Sequence, residues 1–198
     1  MNSRFVSFIG GDSGDWRIDG VRAVTGAGLA CPARLAIENS HVAALPVGDA
    51  WLLRGVTSNQ RYTSRAQQTQ LAALQPPLGR PEATCGALIP ITKTAAWWGL
   101  TQDERERFFS APPQAAPDHT AIGMHYLPAI ARQLLHGRDL GEPFDFLTWF
   151  EFAPSDALAF DELLARLRAT EEWAYVEREV EVRVSRTPGG NEHNRTGG

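Results

Sequence analysis

Cysteine is nearly absent: Cys31 and Cys85 are the only two in 198 residues. They form no CxxC pair and have no histidine at zinc-ligand spacing, which excludes a disulfide scaffold and a structural zinc module. No apolar run approaches the roughly 18 residues a bilayer span needs. The opening Met1-Asn2-Ser3-Arg4-Phe5 leads to an apolar run broken at Gly10-Gly11 and Asp12, too short and too soon polar for a secretory signal. No five Lys or Arg residues stand together, and 19 basic against 23 acidic residues leave a charge of −4. A dedicated nucleic-acid surface is therefore not expected. These absences predict a reduced, cytoplasmic chain with neither nucleic acid nor membrane as partner. What is present is ordinary globular composition, 43% hydrophobic and 21% charged, which excludes disorder over most of the length.

Hydrophobic periodicity supplies the elements. Residues 1–49 read as short strands and turns, and Trp51 to Thr57 as a buried strand. Arg61 to Leu74 is polar and Ala-rich, a helix stopped by Gln75-Pro76-Pro77. Gly86 to Thr92 is a strand whose Pro90 suggests an edge or a bulge. Ala95 to Phe109 reads as helical with a break at Leu100-Thr101, and a Pro-rich loop follows at Ala111 to Pro117. Phe144, Phe146, Thr148, Phe150 and Phe152 alternate on one face of a strand. Ser155 can cap a helix with the stripe Phe160, Leu163, Leu164 and Leu167. Tyr175 to Val184 is a half-exposed strand, and Arg186 to Gly198 a disordered polar tail. Strand and helix alternating in this way predict an α+β, ferredoxin-like antiparallel sheet with helices on one face.

Several motifs carry no chemistry. Gly11-Asp12-Ser13-Gly14 resembles a protease nucleophile loop, but no histidine precedes it and the turn reading is preferred. Gly26-Ala27-Gly28 lacks the third glycine of a dinucleotide fingerprint. Asn194-Arg195-Thr196 is a glycosylation sequon that a reduced compartment leaves idle.

Three placements ask for an explanation. Glu171 lies eleven residues beyond Phe160, about three helical turns, which would return it to the apolar stripe while Glu172 points away. A buried carboxylate needs a partner; the alternative is a frayed helix end. Arg132 sits among Leu, Ile and Ala between Leu127 and Leu135, whose spacing reads as helical, and a snorkelling side chain would also explain it. His119 follows the Pro-rich loop, where a lone histidine is ordinarily structural or exposed. Together these three suggest a site for an anionic ligand or a metal-bound cofactor.

The ordered blocks Arg61-Tyr62-Thr63, Lys93-Thr94-Ala95-Ala96-Trp97-Trp98, His119-Thr120, Phe146-Leu147-Thr148-Trp149-Phe150-Glu151 and Arg168-Ala169-Thr170-Glu171 resemble the chlorite dismutase family, in particular its short, dimeric haem b clade. The resemblance covers about residues 50–184. It implies a dimeric α+β barrel in one domain, 1–185, with a trimmed N-terminal repeat at about 1–49, a main repeat at about 50–185 and a tail at 186–198. It also implies a strand, not a helix, around Arg132, and β pairing overrides weak helical spacing.

Residue by residue, the resemblance implies that His119 is the axial ligand to a haem b iron and Arg132 the distal catalytic cation. Glu171 would be the carboxylate behind the histidine. Tyr62, Lys93 and Trp97 would hold the haem propionates and edge, with Thr148 and Phe150 on the distal wall. Two departures are noted: His125 offers a second possible ligand, and Ala115-Ala116-Pro117-Asp118 is an unusual approach to His119. The implied activity is conversion of chlorite to chloride and dioxygen, by way of a ferryl haem and transient hypochlorite that Arg132 retains. The implied assembly is a homodimer. Competing readings are a haem-binding protein with peroxidase-like or little turnover, a coproheme decarboxylase-like enzyme, and a ferredoxin-like domain holding no haem.

Overall fold

A computed structural model describes residues 4–57, 76–109, 119–126 and 129–187, apart from the side chains of His119 and Thr120. Among the described residues eight strands are present: β1 (Phe5–Gly11), β2 (Trp16–Thr25), β3 (Arg34–Glu38), β4 (Trp51–Thr57), β5 (Cys85–Lys93), β6 (Ala131–His136), β7 (Phe146–Phe152) and β8 (Val176–Ser185). Four helices accompany them: α1 (Ala95–Gly99), α2 (Gln102–Glu106), α3 (His119–Tyr126) and α4 (Ala157–Arg168). The strands are antiparallel and close into a barrel in the order β1-β3-β2-β8-β5-β7-β6-β4, with β4 returning to β1. Each half of the chain contributes four contiguous strands in the same internal order: fourth, first, third, second. No described helix is long and apolar enough to cross a membrane.

Two apolar layers result from the period-two alternation of the strands. Inside the barrel lie Val6, Phe8, Trp16, Leu35, Trp51, Leu53, Leu88, Leu147, Trp149 and the valines 180, 182 and 184 of β8. Trp149 meets Trp16 edge-on at 5.2 Å and Phe8 at 5.9 Å. The backbone of β1 passes so close to Trp51 that a Cβ at Gly10 would overlap the indole. Outside, α3 and α4 cover Ala87, Ile89, Ile91, Phe150 and Phe152 with Ile122, Tyr126, Phe160, Leu163, Leu164 and Leu167. The predicted stripe of α4 is buried in full.

Local expectations meet mixed outcomes for identifiable reasons. The helical break falls as predicted: Thr101 opens α2 with a reciprocal capping box to Glu104. The strand holding Arg132 is β6, so the helical spacing of 127–135 gives way to pairing with β7. Pro90 is not at an edge; β5 is central, between β7 and β8. Its missing N–H falls where the β5–β8 ladder skips two positions without a register shift. Phe144 precedes β7 and packs inside the barrel, away from Phe150 and Phe152. Ser155 caps nothing, because a 3-10 turn, Pro154–Asp156, runs into α4. β8 is mostly buried rather than half-exposed, its outer face lying in an ion network. The predicted helix at 61–74, the loop at 111–117 and the tail from 188 lie outside the described residues.

Candidate functional site

The outer face of the sheet beneath α3 holds a three-by-three array. Arg132, Leu134 and His136 of β6 pair with Phe150, Thr148 and Phe146 of β7, which pair with Ala87, Ile89 and Ile91 of β5. Thr148 and Phe150 thus share one wall with Arg132, and Leu134 is exposed. Phe146 is stacked on Trp98 at 5.9 Å and meets the ring of His136 at 5.0 Å. Trp98 is fixed by its Nε1–H, which donates to Asp145 at 3.2 Å, and by the Arg138 guanidinium 3.5 Å above its ring. This wall is flat, aromatic and aliphatic, with one cation at its end.

Arg132 is half-buried and points under α3. It lines a small cavity with Gly123, Tyr126, Ile130, Phe150, Leu163 and Leu167. Burial lowers the guanidinium pKa from its ordinary value; the starting point is so high that the group stays cationic. A Cβ on Gly123 would stand 3.2 Å from Arg132 Nη1, so a bare stretch of helix backbone faces the guanidinium. His119 opens the same helix, and residues 119, 122, 123 and 126 share one helical face. Ile122, Gly123 and Tyr126 of that set are buried. His125, the alternative ligand, is exposed.

Behind α1 lies a second polar group inside an aromatic shell. Lys93, the only lysine in the chain, ends β5 and is 3% exposed. Its Nζ donates to Glu172 Oε1 at 2.7 Å and to the Glu172 carbonyl at 3.3 Å. The ammonium lies 4.5 Å from the Trp97 ring and 5.6 Å from the Trp173 ring. Burial pulls the Lys93 pKa down, and the carboxylate of Glu172 opposes that shift. Trp97 is 3% exposed, held in α1 by the Thr94 cap and packed against Phe108, Phe109 and Tyr175.

The buried carboxylate is therefore Glu172, and Glu171 is exposed. Sequence reasoning carried the α4 stripe eleven residues past Phe160. The helix stops at Arg168, and a 3-10 turn over Glu171–Tyr175 resets the facing by one residue. Lys93 likewise differs from its implied place at a propionate: its ammonium is enclosed and bonded to Glu172. The solitary lysine beside a Trp-Trp pair was a usable signal, since a lone buried cation demands a carboxylate partner. Tyr62 lies outside the described residues, and the His119 side chain is not described. The structure brings Arg132, Thr148 and Phe150 together, and separately Lys93, Trp97 and Glu172.

A wall of aromatic and aliphatic side chains, a glycine that leaves the facing helix bare and a half-buried cation suit a planar, anionic prosthetic group. Among the described residues no three His, Cys, Asp or Glu side chains could hold a bare metal ion.

An antiparallel α+β barrel with an aromatic wall and a cation on its outer face is the fold class and surface that the comparisons address. The chain belongs to the chlorite dismutase family, whose model, described as chlorite dismutase, matches residues 34–187. It is 52% identical, at a TM-score of 0.81, to a dimeric chlorite dismutase from Nitrobacter winogradskyi, covering 92% of this chain and 99% of that one. A chlorite dismutase from Candidatus Nitrospira defluvii in complex with imidazole matches at 26% identity and a TM-score of 0.55, over 70% of this chain and 56% of that one. The chlorite dismutase of Ideonella dechloratans is 32% identical over 88 residues, 44% of this chain and 27% of that protein.

Proposed function

We propose that the chain is a haem b chlorite dismutase, converting one chlorite to one chloride and one dioxygen. The observation that carries this reading is the placement of Arg132 on β6, beside Thr148 and Phe150 and facing the bare backbone of Gly123 on the helix that His119 opens. Bound haem would supply redox-active iron able to take and return an oxygen atom. His119 would hold its iron, and Glu172, in place of Glu171, would accept a hydrogen bond from the imidazole and raise its basicity. Lys93 neutralises that carboxylate from behind, while Trp97 and Trp173 keep water from the pair. Tyr62 and Trp97 would line the haem edge.

Arg132 would hold the anionic substrate and a released oxyanion near the iron. A guanidinium is suited to this because it keeps its charge when desolvated and offers a planar fork of donors. Phe150 and Thr148 shape the wall beside it. The dimeric relative supports a homodimer. The repeated strand order supports a single domain at 1–185 of two ferredoxin-like repeats, the first trimmed. The sparse cysteines and scattered basic residues support a cytoplasmic location without nucleic acid as partner, and the family supports chlorite as the small-molecule partner.

The test is to titrate purified protein with haem and follow the Soret band. Chlorite is then added in an oxygen electrode cell. Stoichiometric haem binding with one dioxygen per chlorite is expected. A Soret band without dioxygen would reject the chlorite dismutase reading in favour of the haem-binding or decarboxylase-like alternatives, and no Soret band would reject the haem site.

A further inference from the structure

We propose that Trp173 and Glu179 are positioning residues that fix Glu172 behind the axial histidine, so that the barrel strand β8 sets the donor strength of the imidazole. The proposal rests on the assignment of His119 and Glu172 given above. Glu172 is carried by a five-residue 3-10 turn, Glu171–Tyr175, whose N-cap Thr170 makes no side-chain cap bond. The Thr170 hydroxyl donates back to the Leu167 carbonyl instead. So short a turn has little rigidity of its own, and the carboxylate needs ties to the sheet. The turn's far end has one, from Thr94 N–H to the Tyr175 carbonyl at 2.8 Å.

Lys93 of β5 holds Glu172 itself through its carboxylate and carbonyl, and the next residue carries a further tie, to β8. Trp173 Nε1–H donates to Glu179 Oε2 at 2.8 Å, while its ring stands by the Lys93 ammonium. Glu179 is fully buried on β8. Its other oxygen accepts from Arg168 Nε at 2.9 Å and Nη2 at 2.5 Å. Arg168 also bonds Glu181 at 2.7 Å, which Arg183 and Arg22 hold in turn at 2.7 and 2.6 Å. The indole is thus anchored to a buried carboxylate that Arg168 holds through two donors. Glu179 also acts on Lys93 through its charge, reaching the Glu172 pair from two directions.

The experiment uses haem-loaded Trp173→Phe, which keeps the ring and removes only the donor, with Glu172→Gln as reference. The readouts are the ferric/ferrous midpoint potential, the iron–imidazole stretching frequency and Tm. Glu172→Gln should shift the couple toward ferrous by about tenfold, or 59 mV for one electron, and lower the frequency. Trp173→Phe should move both in the same direction by about threefold, with haem affinity unchanged within about twofold. If Trp173→Phe lowers Tm but leaves both signals unmoved while Glu172→Gln moves them, the tie is only structural and the proposal falls. If Glu172→Gln moves neither signal, the assignment of Glu172 fails and the proposal falls with it. Glu179→Gln endangers folding by leaving Arg168 short of a charge partner; where it folds, it should match Trp173→Phe.

Discussion

The same strands present one face to the barrel interior and one to the helices, and the two faces are built on different principles. On β8, Val180, Val182 and Val184 enter an interior dominated by valine, leucine and aromatic rings, where Glu151, bonded to the Trp149 indole, pairs with Arg186. The intervening Glu179, Glu181 and Arg183 sit under α4 in a network of charges. On β7, Trp149 is inside while Thr148 and Phe150 form the wall beside Arg132. Period-two alternation therefore separates two tasks along one chain: dispersion and burial hold the barrel shut, and charge is kept where chemistry needs it. Buried charges contribute little net stability, so their concentration on one face is better understood as orientation of functional groups.

The largest expected break in this contrast is His119→Ala. It should weaken haem retention by about 100-fold or more, since the axial bond is the one strong directional anchor, while Tm of the apoprotein stays within a few degrees. A haem-transfer assay reads the first and circular dichroism the second. An unchanged haem affinity would move the ligand to another residue, with His125 the first to replace.

Trp149→Ala attacks the other face. Removing an indole that packs against both Trp16 and Phe8 should cost about 3–5 kcal/mol of stability, seen in urea unfolding. The haem spectrum of the protein that remains folded should not change. A shifted spectrum would mean that the two faces are coupled.

The ion network gives a pH test. Burial alone would raise the Glu181 carboxyl, yet hydrogen bonds from Arg168, Arg183 and Arg22 outweigh it and hold the pKa at about 2. The folded value lies below the unfolded one, so its stabilisation is complete above the ordinary carboxylate range and is lost as pH falls toward 2. Glu181→Gln should lower stability at pH 7 by about 3 kcal/mol and flatten the decline between about pH 4.5 and 2. An equal slope in both proteins, by urea unfolding across that range, would place the acid sensitivity elsewhere.

The smallest effect is expected at Glu171→Gln. An exposed carboxylate should change stability by no more than about 0.5 kcal/mol and leave the midpoint potential untouched, in contrast to its neighbour Glu172. A potential shift equal to that of Glu172→Gln would restore Glu171 as the carboxylate behind the histidine.

That one-residue difference shows what the sequence could and could not convey. The α4 stripe, the Thr101 break and strand β4 were legible because each is a local pattern: four leucine-class positions, one capping box, one apolar run. The strand around Arg132 was legible only through the family resemblance, since residues 127–135 carry helical spacing and pairing with β7 decides. Glu172 was hidden because helical phase was extended across a helix end that no cap residue marks. Pro90 misled toward an edge because the skipped ladder positions that accommodate it are a property of two strands, not one. The wall of Arg132, Thr148 and Phe150 could be named from family resemblance but not assembled, because the register joining it is long-range.

The most direct measurement of the account is the dioxygen yield per haem from chlorite for Arg132→Ala beside the wild type, with a hypochlorite trap present and absent. Arg132→Ala should bind haem normally. Its turnovers before bleaching should fall at least about tenfold, and the trap should intercept oxidant that the wild type retains. Equal yields and an equal trap response in the two proteins would contradict it, leaving Arg132 a packing residue beneath α3.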